Sequence, residues 1–296
     1  MNRMTYMVFI IAVTLMMGLS FPFVHISMND GASPFLLMGV RFLLAGGIMT
    51  LAMMRRPQPR SAKQWAKIVL LGAFNMAGVM GSASFSMRWI TSGEAAILTF
   101  SNPLLFIVIS VLFMGMRYRA RQWIGTVLGL AGVVVTFGAG LNVSPGTFVG
   151  LMSALFFAFG TLLARLWGDE FDTFVLAGYQ MLVGGLILLG ISATLEHPSM
   201  PADATTVGVL TYLVLFSSIV QFALWFYLLK KTDPARTSAF LFLAPFFGVL
   251  GGWAMLGEPM HWYVAAGGAL IGLGIFLVNW QTMGKKDRSS MIHSHP

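Results

Sequence analysis

Apolar residues run along this chain in blocks separated by short stretches that hold most of the charge. Such blocks can be drawn at 6–26, 34–54, 66–87, 94–115, 120–139, 147–166, 173–193, 207–229, 237–257 and 262–281. Each approaches the length of about 20 residues that a helix needs to cross a hydrocarbon layer, and none alternates in the manner of a barrel strand. Local signals sharpen several starts. Ser33-Pro34 and Asp233-Pro234 each place a capping side chain before a first-turn proline, and Thr91-x-x-Glu94 has capping-box spacing.

The blocks repeat. Adding 142 to a residue number carries Pro103 onto Pro245, Gly115 onto Gly257, Gly125 onto Gly267, Leu128 onto Leu270 and Gly132 onto Gly274. A duplicated chain with five helices in each half must cross a membrane in opposite senses in the two halves, because five is odd. The expected fold is therefore an all-α integral membrane protein. It has ten transmembrane helices in two inverted-topology five-helix repeats, residues 1–140 and 141–283, followed by a polar cytoplasmic tail at 284–296.

Composition agrees with the membrane. Hydrophobic residues make up 57% and charged residues 9%, with a mean hydropathy of +0.81, whereas a soluble domain carries about 25% charged residues. The net charge of +8 does not point to nucleic acid, since the basic residues fall in the loops between spans. With the N-terminus placed inside, all Lys and Arg residues except Arg41 and Arg88 lie inside or at inside span ends, which sets an N-in/C-in orientation. The run from Tyr6 to Ile26 has only Arg3 before it and many similar runs after it, so it reads as a first span rather than a signal peptide. The chain contains no cysteine, which excludes disulfides and thiolate chemistry.

Several positions resemble the EamA branch of the drug/metabolite transporter superfamily, and the resemblance covers nearly the whole chain. The pattern Trp-Gly-x-x-Phe-x-x-x-Lys of the first span is met at Gly18 and Phe21, with Met17 in the Trp position and His25 in the Lys position. Pro34, Arg41 and Phe42 match the Pro-x6-Arg-Phe of the second span, and Gly257-Glu258 matches the Gly-Glu that ends the ninth. At the end of the fourth span Gly115 is followed by Met116 where Glu is usual. The resemblance implies that both repeats are EamA-like. It further implies a multi-pass carrier of the bacterial inner membrane, commonly an exporter of amino acids or other small metabolites.

The polar residues at depth are the candidate site. Arg41 lies a few residues outward of the middle of the second span, where insertion scales assign about 2.5 to 3.5 kcal/mol to a central arginine. No acid shares its depth. It could offer a guanidinium fork to a substrate carboxylate or phosphate, or it could bond neighbouring backbone or reach outward toward Glu94. Asn75, Asn102, Gln180 and Gln221 lie near the same depth, and Ser217, Gln221 and Trp225 share one helical face. Amides beside an aromatic ring suit a neutral or zwitterionic organic solute, although the same residues could simply bond between helices. Pro103 and Pro245, at equivalent positions of the repeats, are candidate hinges or ordinary kinks. His25 and Glu94 are candidates for carrying a coupling proton. Each also has a plainer reading, His25 as an interfacial residue and Glu94 as part of its capping box. Gly125-x3-Gly129 and Gly268-x3-Gly272 would let helices approach closely, as a scaffold or a dimer contact.

These features favour a secondary transporter of a small organic metabolite, such as an amino acid, that works by alternating access and exports its solute. The expected partners are that solute and membrane lipid, with no nucleic acid, and the expected state is a monomer or a homodimer. Neither a P-loop nor a soluble domain is present to hydrolyse ATP; no catalytic residue, metal or cofactor is expected. A nucleotide-sugar or phosphorylated-metabolite exchanger is the chemical rival. A lipid- or partner-binding membrane scaffold and an integral-membrane enzyme are rivals of other classes.

Overall fold

The computed structural model describes residues 2–136, 144–232, 237 and 240–279. The cap expected at Asp233-Pro234, residues 140–143 at the junction between the two repeats and the polar tail lie outside the described residues. Every regular element among the described residues is helical. Seven helices are long and apolar enough to cross a membrane: α1 (Met4–Asn29), α2 (Pro34–Ala52), α3 (Ala62–Ser86), α4 (Ser92–Phe113), α6 (Pro145–Glu170), α7 (Thr173–Leu195) and α8 (Ala204–Lys231). The apolar helices α5 (Ala120–Val135), α9 (Leu243–Leu256) and α10 (Trp262–Val278) are shorter.

The helix signals hold in part. Thr91 and Glu94 form the expected capping box at the start of α4. Ser33, by contrast, makes no side-chain cap on α2; its hydroxyl donates to the carbonyl of His197 at 3.0 Å in the turn after α7. Proline at the first helical position already removes one of the donors a cap would satisfy, so the serine is available to tie two turns together.

The helices are interrupted at matching places. α3 contains a π-turn at Ala73–Gly78 and α8 contains one at Leu215–Val220, and adding 142 to the first gives the second. α4 is broken at Ser101, just before Asn102-Pro103. Regular helix in α9 begins at Leu243, after a 3-10 turn at Phe240–Phe242, with Pro245 in its first turn. α9 thus begins after an interruption within the ninth block, since Thr237 ahead of the 3-10 turn is also helical. It corresponds to the part of α4 that follows the break.

Packing is close wherever glycine removes a side chain. A Cβ on Gly125 would lie 2.7 Å from the carbonyl of Gly274, and one on Gly132 would lie 2.7 Å from that of Gly267, so α5 and α10 run antiparallel with their backbones in contact. α2 and α7 meet likewise: a Cβ on Gly46 would lie 2.5 Å from the nitrogen of Leu182. Glycine pairs of this kind give apolar helices the van der Waals contact that lipid cannot supply. The main core, with Phe21, Leu37, Met38, Phe42, Met181 and Leu188 among its buried members, draws on α1, α2, α3, α4, α7, α8 and α9, while α5 and α10 share a separate cluster with α4 that includes Leu104, Val133 and Ile271.

Candidate functional site

Arg41 is 3% exposed and no carboxylate among the described residues pairs with it. The π-turn of α8 receives it instead. Nε donates to Ser218 Oγ at 3.0 Å, and Nη2 donates to the Ser217 carbonyl at 2.9 Å and to Ser217 Oγ at 3.2 Å. A π-turn shifts the helical hydrogen-bond register and makes a carbonyl available, so the guanidinium satisfies what the local backbone does not. Nη1 faces only the sulfur of Met38, at 3.8 Å. A small cavity of about 10 Å³ lies beside it, lined by Ser20, Met80 and Ser84 among others.

The π-turn of α3 is met in the same way by the other half of the chain. Asn75 Nδ2 donates to Oε1 of Gln180 on α7 at 3.1 Å. Asn75 Oδ1 lies so close to Gly160 of α6 that a Cβ there would overlap it. Gly160 is thus required for the amide to fit.

Asn102 and Gln221 are 9% and 7% exposed, and neither side chain bonds to any described residue. Their amides are also absent from the fully sealed, unbonded groups, which are Tyr6 Oη, Ser27 Oγ and Thr206 Oγ1; both therefore reach accessible space. Thr99, one turn before Asn102, is bonded to Ser153 of α6 at 2.7 Å. Trp225 packs against the cluster of Ile10, Val13 and Leu228 between α1 and α8. The structure therefore joins Asn75 with Gln180 and Arg41 with the α8 serines, and leaves Asn102 and Gln221 without protein partners among the described residues.

His25 is not isolated at the end of its span. Nδ1 lies 2.9 Å from Glu258 Oε1, and the same carboxylate accepts from the Ser92 backbone at 2.8 Å, the Ser92 hydroxyl at 2.9 Å and the Gly93 backbone at 3.3 Å. Glu258 thereby binds α1 and the N-terminus of α4 to the turn between α9 and α10, where the helix dipole favours an acid. Burial raises the Glu258 pKa, but the bonds from His25, Ser92 and Gly93 outweigh it and hold the carboxyl below its ordinary value. Sequence reasoning missed this pair because its members are 233 residues apart; the Gly-Glu resemblance at the α9 end was the available signal. Glu94, the other candidate for a coupling proton, is engaged in its capping box and lines a cavity of about 220 Å³ with Trp89, Thr147 and Tyr263. Among the described residues no group of three His, Asp or Glu side chains gathers to hold a metal ion.

The sequence matches the EamA-like transporter family over residues 4–138 and again over 144–280. It is 26% identical over 276 residues to the uncharacterized transporter YoaV of Bacillus subtilis, covering 90% of this chain and 94% of that one. It is 29% identical over 265 residues to the uncharacterized inner membrane transporter YedA of Escherichia coli K12, covering 85% and 82%. A probable terminal-alkyne amino-acid exporter of Streptantibioticus cattleyicolor is 27% identical over 243 residues, covering 80% and 79%. A solved crystal structure superposes with a TM-score of 0.66 at 21% identity over 95% of this chain and 99% of that one, which shows the shared fold.

Proposed function

Because the chain belongs to the EamA-like transporter family, and is thus a multi-pass membrane transporter and not an enzyme, we propose that it exports a small organic solute such as an amino acid. Asn102 and Gln221 carry this reading. Sealing an amide away without a hydrogen bond would cost roughly 1 to 3 kcal/mol; these two are mostly buried, unbonded to the protein and still reach accessible space, which fits a pathway in which a solute supplies their partners. An α-amino acid offers both donors and a carboxylate acceptor, and Nη1 of Arg41 is the cationic donor at that depth without an oxygen partner. The distant likeness to an amino-acid exporter supports the same solute class and the outward direction, and YedA supports placement in a bacterial inner membrane. A nucleotide sugar fits less well, since a diphosphate calls for several cations and Arg41 already directs two of its three nitrogens at serines.

Alternating access follows from the proposed architecture, ten spans in two inverted repeats with both termini inside. Reciprocal contacts support it. Gly125 meets Gly274 and Gly132 meets Gly267, and adding 142 to each first-half glycine turns one contact into the other. Two antiparallel helices exchanged in this way are related by a two-fold axis perpendicular to the bundle, as an inverted repeat requires. Asn75, Gln180 and Arg41 then line or frame the midplane, Pro103 and Pro245 begin the half-helices that flex, and Trp225 braces α8 against α1.

Counterflow in proteoliposomes tests the reading, with neutral amino acids, organic anions, amines and sugar nucleotides as separate probes. Saturable exchange of amino acids is expected, reduced at least tenfold in Asn102→Ala and Gln221→Ala protein of unchanged melting temperature. Exchange of sugar nucleotides alone, or of no probe by folded protein, overturns it.

A further inference from the structure

The two repeats build two equivalent walls and tie them differently. In the first, α3 stands against α6 and α7; in the second, α8 stands against α1 and α2. The α3 wall is bridged at three levels. Arg88 at its end pairs with Glu196 after α7 at 3.0 Å, Asn75 bonds Gln180 in the middle, and Lys67 at its start pairs with Glu170 at the end of α6. Adding 142 to Arg88 and Lys67, and subtracting it from Glu196 and Glu170, gives the counterparts on the α8 wall: Lys230 with Met54, and Val209 with Met28. Both acids have become methionine. The basic residue that survives, Lys230, stands over the ring of Phe174 at 5.5 Å, and the Arg56 guanidinium stands over the same ring at 5.0 Å. Two cations thus share the face of Phe174; Arg56 is paired with Asp172 at 2.8 Å, whereas no described carboxylate pairs with Lys230, and the position that corresponds to Glu196 is Met54.

Only the middle tie is stronger on the α8 side. Arg41 holds the α8 π-turn from α2, and Ser217 Oγ donates to the carbonyl of Met16 on α1 at 3.2 Å. A helix fastened by hydrogen bonds at a π-turn and held at both ends only by apolar contacts, such as Leu228 on Ile10 and Val13 and Tyr212 on Phe23, is freer to swing about that turn than one bridged by polar pairs at start, middle and end.

We propose that α8 is the moving wall of this transporter, that Arg41 is the positioning residue for its pivot at Leu215–Val220, and that α3 is a fixed strut. This rests on the alternating-access reading. It also accounts for a buried arginine whose bonds go to a helical break. During transport the α8 ends change their distance from α1 and α2 while the α3 ends keep theirs from α6 and α7.

The chain has no cysteine, so introduced thiols are the only ones to label. Spin labels at Trp89 and Leu195 report the α3 wall, and labels at Lys231 and Met53, their counterparts, report the α8 wall, both in the full chain in lipid nanodiscs. A single narrow distance is expected for the first pair and two populations for the second. Met54→Glu places an acid beside Lys230 and should shift the second pair toward the shorter distance by about two- to fivefold, the range of an exposed ion pair. Lys230→Met in that background should reverse the shift. Arg41→Gln should change the balance of the two populations while leaving the Trp89–Leu195 distance alone, an effect that a general loss of packing does not produce. Equal narrow distributions for both pairs, two populations on the α3 wall, or a Met54→Glu shift that Lys230→Met leaves in place overturn the proposal. Counterflow of amino acids by a protein with a rigid α8 sinks this inference alone. Two α8 populations in a protein that exchanges no probe sink the solute assignment and leave the moving wall standing.

Discussion

Two turns of this molecule share a backbone and differ in chemistry. At the end of α4, Gly115 has φ +60° and at the end of α9, Gly257 has φ +64°. In the first, the nitrogens of residues 115 and 116 bond the carbonyls of Val111 and Ser110; in the second, those of 257 and 258 bond Trp253 and Gly252. Each acceptor is displaced by 142 from its counterpart. This is the left-handed helix ending for which glycine is suited, and it forms identically in both halves. The residue after the glycine makes the difference. Glu258 folds back to hold His25, Ser92 and Gly93, whereas Met116 offers a sulfur 3.7 Å from Arg165. A repeat can therefore preserve geometry while dividing work between its copies.

Removing the acid should break the comparison most severely. Glu258→Ala leaves two backbone donors and a hydroxyl without their acceptor in a site where the carboxylate is 11% exposed, and should lower stability by about 3 kcal/mol, the upper end for unsatisfied buried groups. Met116→Ala should change it by about 1 kcal/mol or less. Thermal melts of both variants in one detergent decide this, and equal losses would show that the Glu258 bonds contribute nothing net.

The same carboxylate makes one turn pH-sensitive. Its pKa is lowered on folding, so its contribution is present above the ordinary glutamate value of about 4.3 and is lost as pH falls through the lower folded value. The stability gap between the natural protein and Glu258→Gln should be constant near neutrality and narrow in that acid window. A gap that widens on acidification would mean that the sign is wrong. Next in size, Gly115→Ala and Gly257→Ala should each cost about 1 to 2 kcal/mol, the penalty for a left-handed L-residue. The two values should agree in thermal melts, since an added Cβ meets nothing within 4 Å at either glycine.

Much of this architecture was legible in the chain because it is local or periodic. Apolar blocks specify helices, Thr91 and Glu94 specify a cap, and the pair Gly125-x3-Gly129 specifies a close approach, which α10 meets with Gly274 and not with the expected pair Gly268-x3-Gly272. The unread parts depend on contacts between distant segments. Ser33 bonds across to His197 because the turn after α7 lies there. The 3-10 turn before α9 and the π-turns of α3 and α8 have no local signature beyond Pro245 and scattered polar residues. Arg41 was visible as a buried cation, but its partners Ser217 and Ser218 were visible only as generic polar residues of the eighth span.

The smallest expected effect concerns why Met116 cannot simply be changed to restore the second latch. The Glu258 carboxylate fits because residue 252 is glycine: a Cβ there would overlap Glu258 Oε2. The counterpart of Gly252 is Ser110, which is fully buried and bonded to the Tyr118 hydroxyl at 2.7 Å. A glutamate at 116 therefore meets an occupied space and must turn toward Arg165, on the exposed side of α6. Met116→Glu should gain about 0.2 to 1 kcal/mol, the range of an exposed ion pair, and the gain should vanish in Arg165→Gln. A larger gain that survives loss of Arg165 would mean that the new acid has found the buried route and that Ser110 yields to it.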